Sequence, residues 1–107
     1  MAYRVLFISD ISLSPFTTIA DRMLIRGLRA GGVEITVVTQ RPTPETQELE
    51  SEGIRVEYII FDKKISRRII SHLRSIIERE NTELIHVTFG KAMTNTLMAA
   101  RGRKVRI

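Results

Sequence analysis

Short apolar runs alternate with longer amphipathic stretches along most of the chain. The apolar runs have the length and β-branched composition of strands in a parallel sheet, and the amphipathic stretches space their apolar residues as helices do. We predict strands at 3–9, 34–39, 54–59, 83–87 and 104–107, and helices at 18–30, 63–80 and 91–101. This alternation predicts an α/β fold, a Rossmann-like three-layer domain with a parallel sheet of order 3-2-1-4-5.

Individual segments refine this prediction. In the first helix the buried stripe is expected at Ile19, Met23, Leu24 and Leu28. The alternation from 54 to 58 is typical of a strand with one exposed face, often at a sheet edge. Residues 40–52 are polar and acidic, which favours a loop with one short exposed helix after Pro44. In the helix at 63–80, the apolar stripe comprises Ile65, Ile69, Leu73, Ile76 and Ile77.

Composition limits the classes of protein. A length of 107 residues, 43% hydrophobic and 27% charged, fits one globular domain spanning 1–107. The absence of cysteine excludes disulfides and thiolate chemistry, and the two histidines lie far apart in sequence, so no metal site is predicted. The apolar run Val5–Ile8 is too brief for a signal peptide or a membrane span, so we expect a cytoplasmic protein.

The expected ligand site lies at the switch point of the sheet, between the first and fourth strands. In open α/β sheets ligands bind outside the carboxyl ends of the strands. The candidate binding residues in the two loops that meet there are Asp10, Ser14, Phe16, Thr17, Thr88, Phe89, Gly90 and Lys91. Neither a Gly-x-Gly-x-x-Gly motif after the first strand nor a phosphate-binding P-loop occurs, which argues against dehydrogenase and kinase-like functions.

Structural roles compete with binding roles in these loops. Serine and threonine before a helix usually cap it, although the free N–H groups there also bind anions. Asp10 more often accepts hydrogen bonds from loop N–H groups than carries chemistry. A receiver domain of a phosphorelay has similar size and alternation, but it needs paired acidic residues after the first strand, where this chain has Ser9-Asp10. We leave the catalytic residues unassigned.

Positive charge is concentrated in one stretch. The net charge is +5, and five basic residues with no acidic one lie between Lys63 and Arg74. An ordinary helix with a solvated charged face is one interpretation. The other is contact with an anionic membrane surface, for which the candidates are Lys63, Lys64, Arg67 and Arg68. Nucleic acid is a weaker candidate, because aromatic residues do not cluster with the charge.

Three segments carry a resemblance to a known family. They are Arg4 to Ser9, Leu28 to Thr39, and Glu83 to Gly90, followed by Ala99-Ala100-Arg101. The second is similar to a Leu-x-x-x-Gly-His-Glu-Val strand entry and the third to an Asp-Val-Val-His-x-His segment. In this order and spacing, the chain resembles the N-terminal domain of group 1 glycosyltransferases, retaining enzymes of the two-domain GT-B fold.

The resemblance implies transfer of a sugar from a nucleotide-sugar donor, the co-substrate, with no other cofactor. It implies a hexosyltransferase-type enzyme in which this domain binds the acceptor, a small molecule or glycolipid. The missing C-terminal domain would bind the donor, so this chain alone is expected to be inactive. Some members dock on anionic lipid through a basic helix of this domain, which would place the protein peripherally at the inner membrane face.

Two departures from the family pattern leave an alternative open. Many members have a Gly-Gly pair before the first helix, where this chain has Pro15-Phe16. Members also often carry a second histidine after the fourth strand, at the position of Thr88, whose hydroxyl is not a base at neutral pH. The alternative is therefore a non-catalytic Rossmann-like binding or regulatory domain.

Overall fold

The computed structural model describes residues 3–11 and 18–107. Along this part of the chain, strands and helices alternate in the order β1 (Arg4–Ile8), α1 (Ile19–Ala30), β2 (Glu34–Thr39), α2 (Pro44–Ser51), β3 (Arg55–Tyr58), α3 (Arg67–Arg79), β4 (Leu84–Val87) and α4 (Gly90–Ala100). The strands pair in parallel as one sheet of order β3-β2-β1-β4. The α/β class is therefore confirmed, with β3 at an edge as its alternating pattern predicts.

Each face of the sheet has its own apolar core, because successive residues of a strand point to opposite faces. Val5 and Phe7 of β1 lie in the core that also contains Ile25 of α1 and Leu49 of α2. The opposite core contains residues of β1, α3 and α4, among them Leu6, Ile8, Leu73, Ile76 and Ala99. The sheet thus lies between two helical layers, which confirms the three-layer architecture.

The predicted buried stripe of α1 is wrong. Ile19, Met23 and Leu24 are exposed, whereas Ile25 is completely buried. The helix is rotated so that the guanidinium of Arg26 reaches Glu48 and Glu52 on the side of α2, at 2.9 and 2.8 Å. Leu28 alone of the four predicted residues packs against the core, and it is only partly buried.

The helix predicted from residue 63 begins later. Ser66 caps α3, and its hydroxyl accepts the backbone N–H of Ile69 at 3.4 Å. Lys63 and Lys64 therefore lie before the helix rather than in it, and Ile65 is exposed instead of buried. The short helix expected after Pro44 is confirmed, although Thr46 and Leu49 bury part of its surface.

The fifth predicted strand is reduced to a single parallel bridge between Leu84 and Arg106. Two backbone hydrogen bonds form it: Ile85 N–H donates to the Arg106 carbonyl at 2.7 Å, and Arg106 N–H donates to the Glu83 carbonyl at 3.0 Å. The sheet of the described residues is therefore ordered 3-2-1-4, and the predicted order 3-2-1-4-5 is not reached.

Candidate functional site

The carboxyl ends of three strands bring polar side chains together at one edge of the sheet. Asp10 follows β1 with only 8% of its surface exposed, and Gln40 follows β2. Thr88 follows β4, and both its backbone N–H and its hydroxyl donate to the Ile8 carbonyl, at 2.9 and 3.3 Å. This edge is where α/β sheets bind ligands.

Gln40 connects two of the loops at this edge. Its Nε2 donates to Oδ2 of Asp10 at 2.7 Å, and its Oε1 accepts the backbone N–H of Phe61 at 3.1 Å. The neighbouring Thr39 hydroxyl accepts the N–H of Ile11 at 3.1 Å, which holds the start of the loop after β1. The loops that follow β1 and β3 are therefore both tied to the end of β2.

The loop after β4 is fixed by aromatic packing. The rings of Phe89 and Phe61 meet edge to face, with centroids 5.4 Å apart and planes at 82°. Phe89 directly precedes α4, which begins at Gly90, and Lys91 is exposed in the first helical turn. The charge of Lys91 opposes the positive end of the helix dipole, so an anionic group bound nearby relieves a mild electrostatic cost.

Five of the eight predicted binding residues lie in the described part of the chain. Asp10, Thr88, Phe89, Gly90 and Lys91 are all placed at the carboxyl edge, within the loops expected for them. The other three, Ser14, Phe16 and Thr17, lie outside the described residues. The carboxyl ends of β1 and β4 are adjacent because these strands pair directly, in the register Ile8 to Val87.

The basic segment, residues 60–68, projects from the same edge. Its four cationic side chains, Lys63, Lys64, Arg67 and Arg68, are all exposed. Ile60 and Ile65 lie among them with 42% and 59% of their surface exposed. Charge compensation is weak, since Arg68 lies 4.0 Å from the Asp62 carboxylate on a largely exposed surface.

Asn95 of α4 holds this segment in place. Its side chain is completely buried, its Oδ1 accepts the N–H of Ser66 at 2.9 Å, and its Nδ2 donates to the carbonyl of Lys63 at 3.0 Å. Phe61, at the root of the segment, is 2% exposed. The exposed cations are thus carried on a backbone that is anchored at both ends.

Comparison with known proteins identifies the family. The sequence profile described as "Glycosyl transferase 4-like" matches residues 4–107. The chain belongs to this glycosyltransferase family. Its fold is similar to that of a glycosyltransferase from Rickettsia africae ESF-5, with a TM-score of 0.77 and 14% sequence identity over 98% of the chain. The chain spans 28% of the length of that structure. No curated protein matches it.

Each histidine of this glycosyltransferase-family domain contacts a residue of a strand. His86 stacks on Phe7 within the sheet, with ring centroids 4.6 Å apart, and is exposed on its other side. His72 lies on α3, and its Nε2 is 3.7 Å from a carboxylate oxygen of Glu57 on β3. Among the residues that the structure describes, no group of three or more acidic or histidine side chains is arranged to hold a metal ion.

Two cavities of similar size lie at opposite edges of the domain. One has a volume of about 400 Å³ and borders the basic segment. Its lining comprises Gln40, Tyr58, Ile59, Ile60, Asp62, Arg68, Ile69 and His72. Another, of about 410 Å³, lies at the amino ends of the strands, where Arg4 donates to the Glu80 carbonyl and Arg55 pairs with the Glu80 carboxylate. The first is at the edge where the fold binds ligands.

Sequence reasoning missed Gln40 and Asn95. Gln40 directly follows the last strand residue of β2, so the rule that placed Asp10 in the site applied to it as well. Asn95 lies among small residues in the middle of a helix and gave no sequence signal.

Within the described residues, no helix is both long and apolar enough to cross a membrane.

Proposed function

We propose that this domain binds the acceptor in a sugar-transfer reaction, at the carboxyl edge between β1 and β4. The observation that carries the proposal is the convergence of Asp10, Gln40, Thr88 and the start of α4 at that edge, in a chain that belongs to a glycosyltransferase family. The donor is a nucleotide-sugar bound by a second, C-terminal domain of the GT-B kind. Alone, the 107 residues do not turn over substrate.

The chemistry of the edge supports an acceptor with hydroxyl groups. A carboxylate such as Asp10 accepts hydrogen bonds from hydroxyls, and the Thr88 hydroxyl, which donates its proton to the Ile8 carbonyl, is also an acceptor. Phe89 offers an apolar surface beside them and Lys91 a positive charge. These groups bind and orient an acceptor, and orientation alone supplies much of the rate of a bimolecular reaction.

The test is a transfer assay on a polypeptide that carries this domain together with the donor domain. Asp10→Asn should lower kcat/KM for the acceptor, while Glu83→Gln, the same carboxylate-to-amide change at an exposed residue before the amino end of β4, should leave it unaltered. The isolated 107 residues should show no transfer and no donor hydrolysis. If the two-domain protein neither binds nor hydrolyses any nucleotide-sugar, the domain is instead a non-catalytic binding or regulatory domain.

We further propose that the basic segment docks on an anionic membrane surface, so that the protein acts peripherally at the inner face of a membrane. The segment carries four exposed cations and two exposed isoleucines, which combines electrostatic attraction with apolar side chains to bury. Each basic residue near such a surface contributes about 1 kcal/mol. A glycolipid acceptor is consistent with this placement.

Vesicle co-sedimentation tests the docking. The wild-type chain should bind phosphatidylglycerol vesicles, and binding should fall as salt is added, because salt screens exposed charges. Replacing Lys63, Lys64, Arg67 and Arg68 by Gln should abolish binding, whereas replacing Arg101 and Arg103 should not. Equal binding to neutral phosphatidylcholine vesicles would refute an electrostatic docking surface.

A further inference from the structure

Gln40 is shared by the proposed acceptor site and the basic segment. Its amide donates to the Asp10 carboxylate at 2.7 Å and accepts from the N–H of Phe61 at 3.1 Å. Phe61 is the buried residue at the root of the basic segment. The planar amide of Gln40 therefore contacts both the proposed acceptor site and the basic segment, and both its nitrogen and its oxygen form a hydrogen bond.

We propose that Gln40 is a positioning residue that couples the basic segment to Asp10, so that binding at the segment is transmitted to the acceptor site. The inference rests on the proposed function and adds a form of regulation to it. The amide is rigid, so a shift of the Phe61 backbone that carries Oε1 with it also moves the Nε2 donor. The Asp10 carboxylate then loses or gains a charge-assisted hydrogen bond.

The surroundings of Gln40 favour transmission over independent movement. Phe61 is packed edge to face on Phe89, and Asn95 holds the backbone of the segment at Lys63 and Ser66. These contacts restrict local flexing between Phe61 and the start of α3. Gln40 also lines the cavity that Arg68 and Asp62 border, so a group bound beside Arg68 lies next to the amide.

Two substitutions separate the two ends of the amide. Gln40→Glu retains an oxygen to accept the Phe61 N–H but presents a second carboxylate oxygen to Asp10 instead of a donor. Gln40→Met retains the length of the side chain and removes both hydrogen bonds. Gln47→Met makes the same chemical change at an exposed glutamine of α2 and serves as the control.

Nuclear magnetic resonance on the 107-residue chain gives the first readouts, the carboxyl carbon signal of Asp10 and the hydrogen exchange of the Phe61 amide. Gln40→Glu should move the Asp10 signal and leave Phe61 protected. Gln40→Met should move the Asp10 signal and make Phe61 exchange several-fold faster. An unmoved Asp10 signal in both variants would overturn the positioning role. A purely structural loss in Gln40→Glu would change both the Asp10 signal and the exchange of the Phe61 amide, whereas the proposed role changes the Asp10 signal alone.

The coupling is tested by adding bicelles of phosphatidylcholine that contain phosphatidylglycerol. In the wild type and in Gln47→Met, binding should shift the Asp10 signal, while in Gln40→Met the bicelles should bind and the Asp10 signal should stay unchanged. A shift of equal size in Gln40→Met, or no shift in the wild type, overturns the coupling. Neither result bears on acceptor binding, which the separate transfer assay on Asp10→Asn decides.

Discussion

The rings of Phe61 and Phe89 meet edge to face with their centroids 5.4 Å apart, joining the loop after β3 to the loop after β4. These two loops come from strands that are not neighbours, because β2 and β1 lie between β3 and β4 in the sheet. The contact therefore bridges the whole width of the carboxyl edge. It places Phe61, at the root of the basic segment, against the residue that directly precedes α4.

A double-mutant cycle measures this contact. Phe61→Leu and Phe89→Leu should each destabilise the domain, and the coupling between them should be about 0.5–1.5 kcal/mol, the usual value for an aromatic pair beyond its burial. Urea unfolding of the wild type, both single variants and the double variant gives the four free energies. Strict additivity of the two single changes would mean that the rings do not interact.

The rotation of α1 predicts opposite outcomes for two neighbouring apolar residues. Ile25→Ala should cost about 2–5 kcal/mol, because Ile25 is completely buried and its loss leaves a cavity. Met23→Ala should change the free energy of unfolding by about 0.5 kcal/mol or less, since Met23 is 67% exposed. Chemical denaturation compares the two variants directly. Comparable losses would indicate that α1 presents a different face to the sheet.

Two glycines should respond in opposite directions to alanine. Gly53 has φ +86°, a conformation that strains alanine, so Gly53→Ala should destabilise by about 1–2 kcal/mol even if the flexible Arg29 side chain moves away from the added Cβ. Gly27 lies inside α1 with nothing within 4 Å of the added atom. Gly27→Ala should therefore stabilise by about 0.5–1 kcal/mol. Thermal melts of both variants check the two signs together.

Alkaline pH should weaken the domain through Tyr58. Burial raises the pKa of the Tyr58 phenol, and the adjacent Glu50 carboxylate, which accepts its hydrogen bond, adds to the effect. The unfolded chain loses this proton at about pH 10 while the folded chain retains it. The contribution of Tyr58 to the free energy of unfolding is therefore constant below that pH and falls above it.

Comparison of the wild type with Tyr58→Phe isolates this contribution. The wild type should be the more stable protein at neutral pH, and its advantage should shrink as the pH rises past about 10, because phenylalanine has no proton to lose. Urea unfolding at a series of pH values gives the difference. An advantage that stays constant across the alkaline range would show that Tyr58 titrates alike in both states.

Local sequence patterns predict much of the fold, and the predictions that were wrong have physical causes. The strands are predicted well because each is a short apolar run, and a parallel sheet buries such runs on both faces. In α1, apolar residues occupy more than one side, so periodicity alone does not say which side faces the sheet. The packing of Ile25 against core residues of β1 and α2 decides it, and this is a tertiary contact.

The candidate site likewise contains residues that local patterns predict and residues that only tertiary contacts reveal. Asp10 and the residues around Thr88 were predicted because topology places every strand's carboxyl end at one edge. Asn95 was not, because its partners are the backbone groups of Ser66 and Lys63, about thirty residues earlier in the chain. Pairings of this kind depend on how two helices lie against each other, which no pattern within one segment reveals.

The strand order β3-β2-β1-β4 also determines when each face of the sheet becomes covered during synthesis. Leu6, Ile8 and Val38 belong to the core that α3 and α4 complete, although these three residues are made well before either helix. A ribosome adds residues at about 5–20 per second, so this apolar surface stays open for a time on the order of seconds. The nascent domain therefore keeps this surface open until both α3 and α4 have been made.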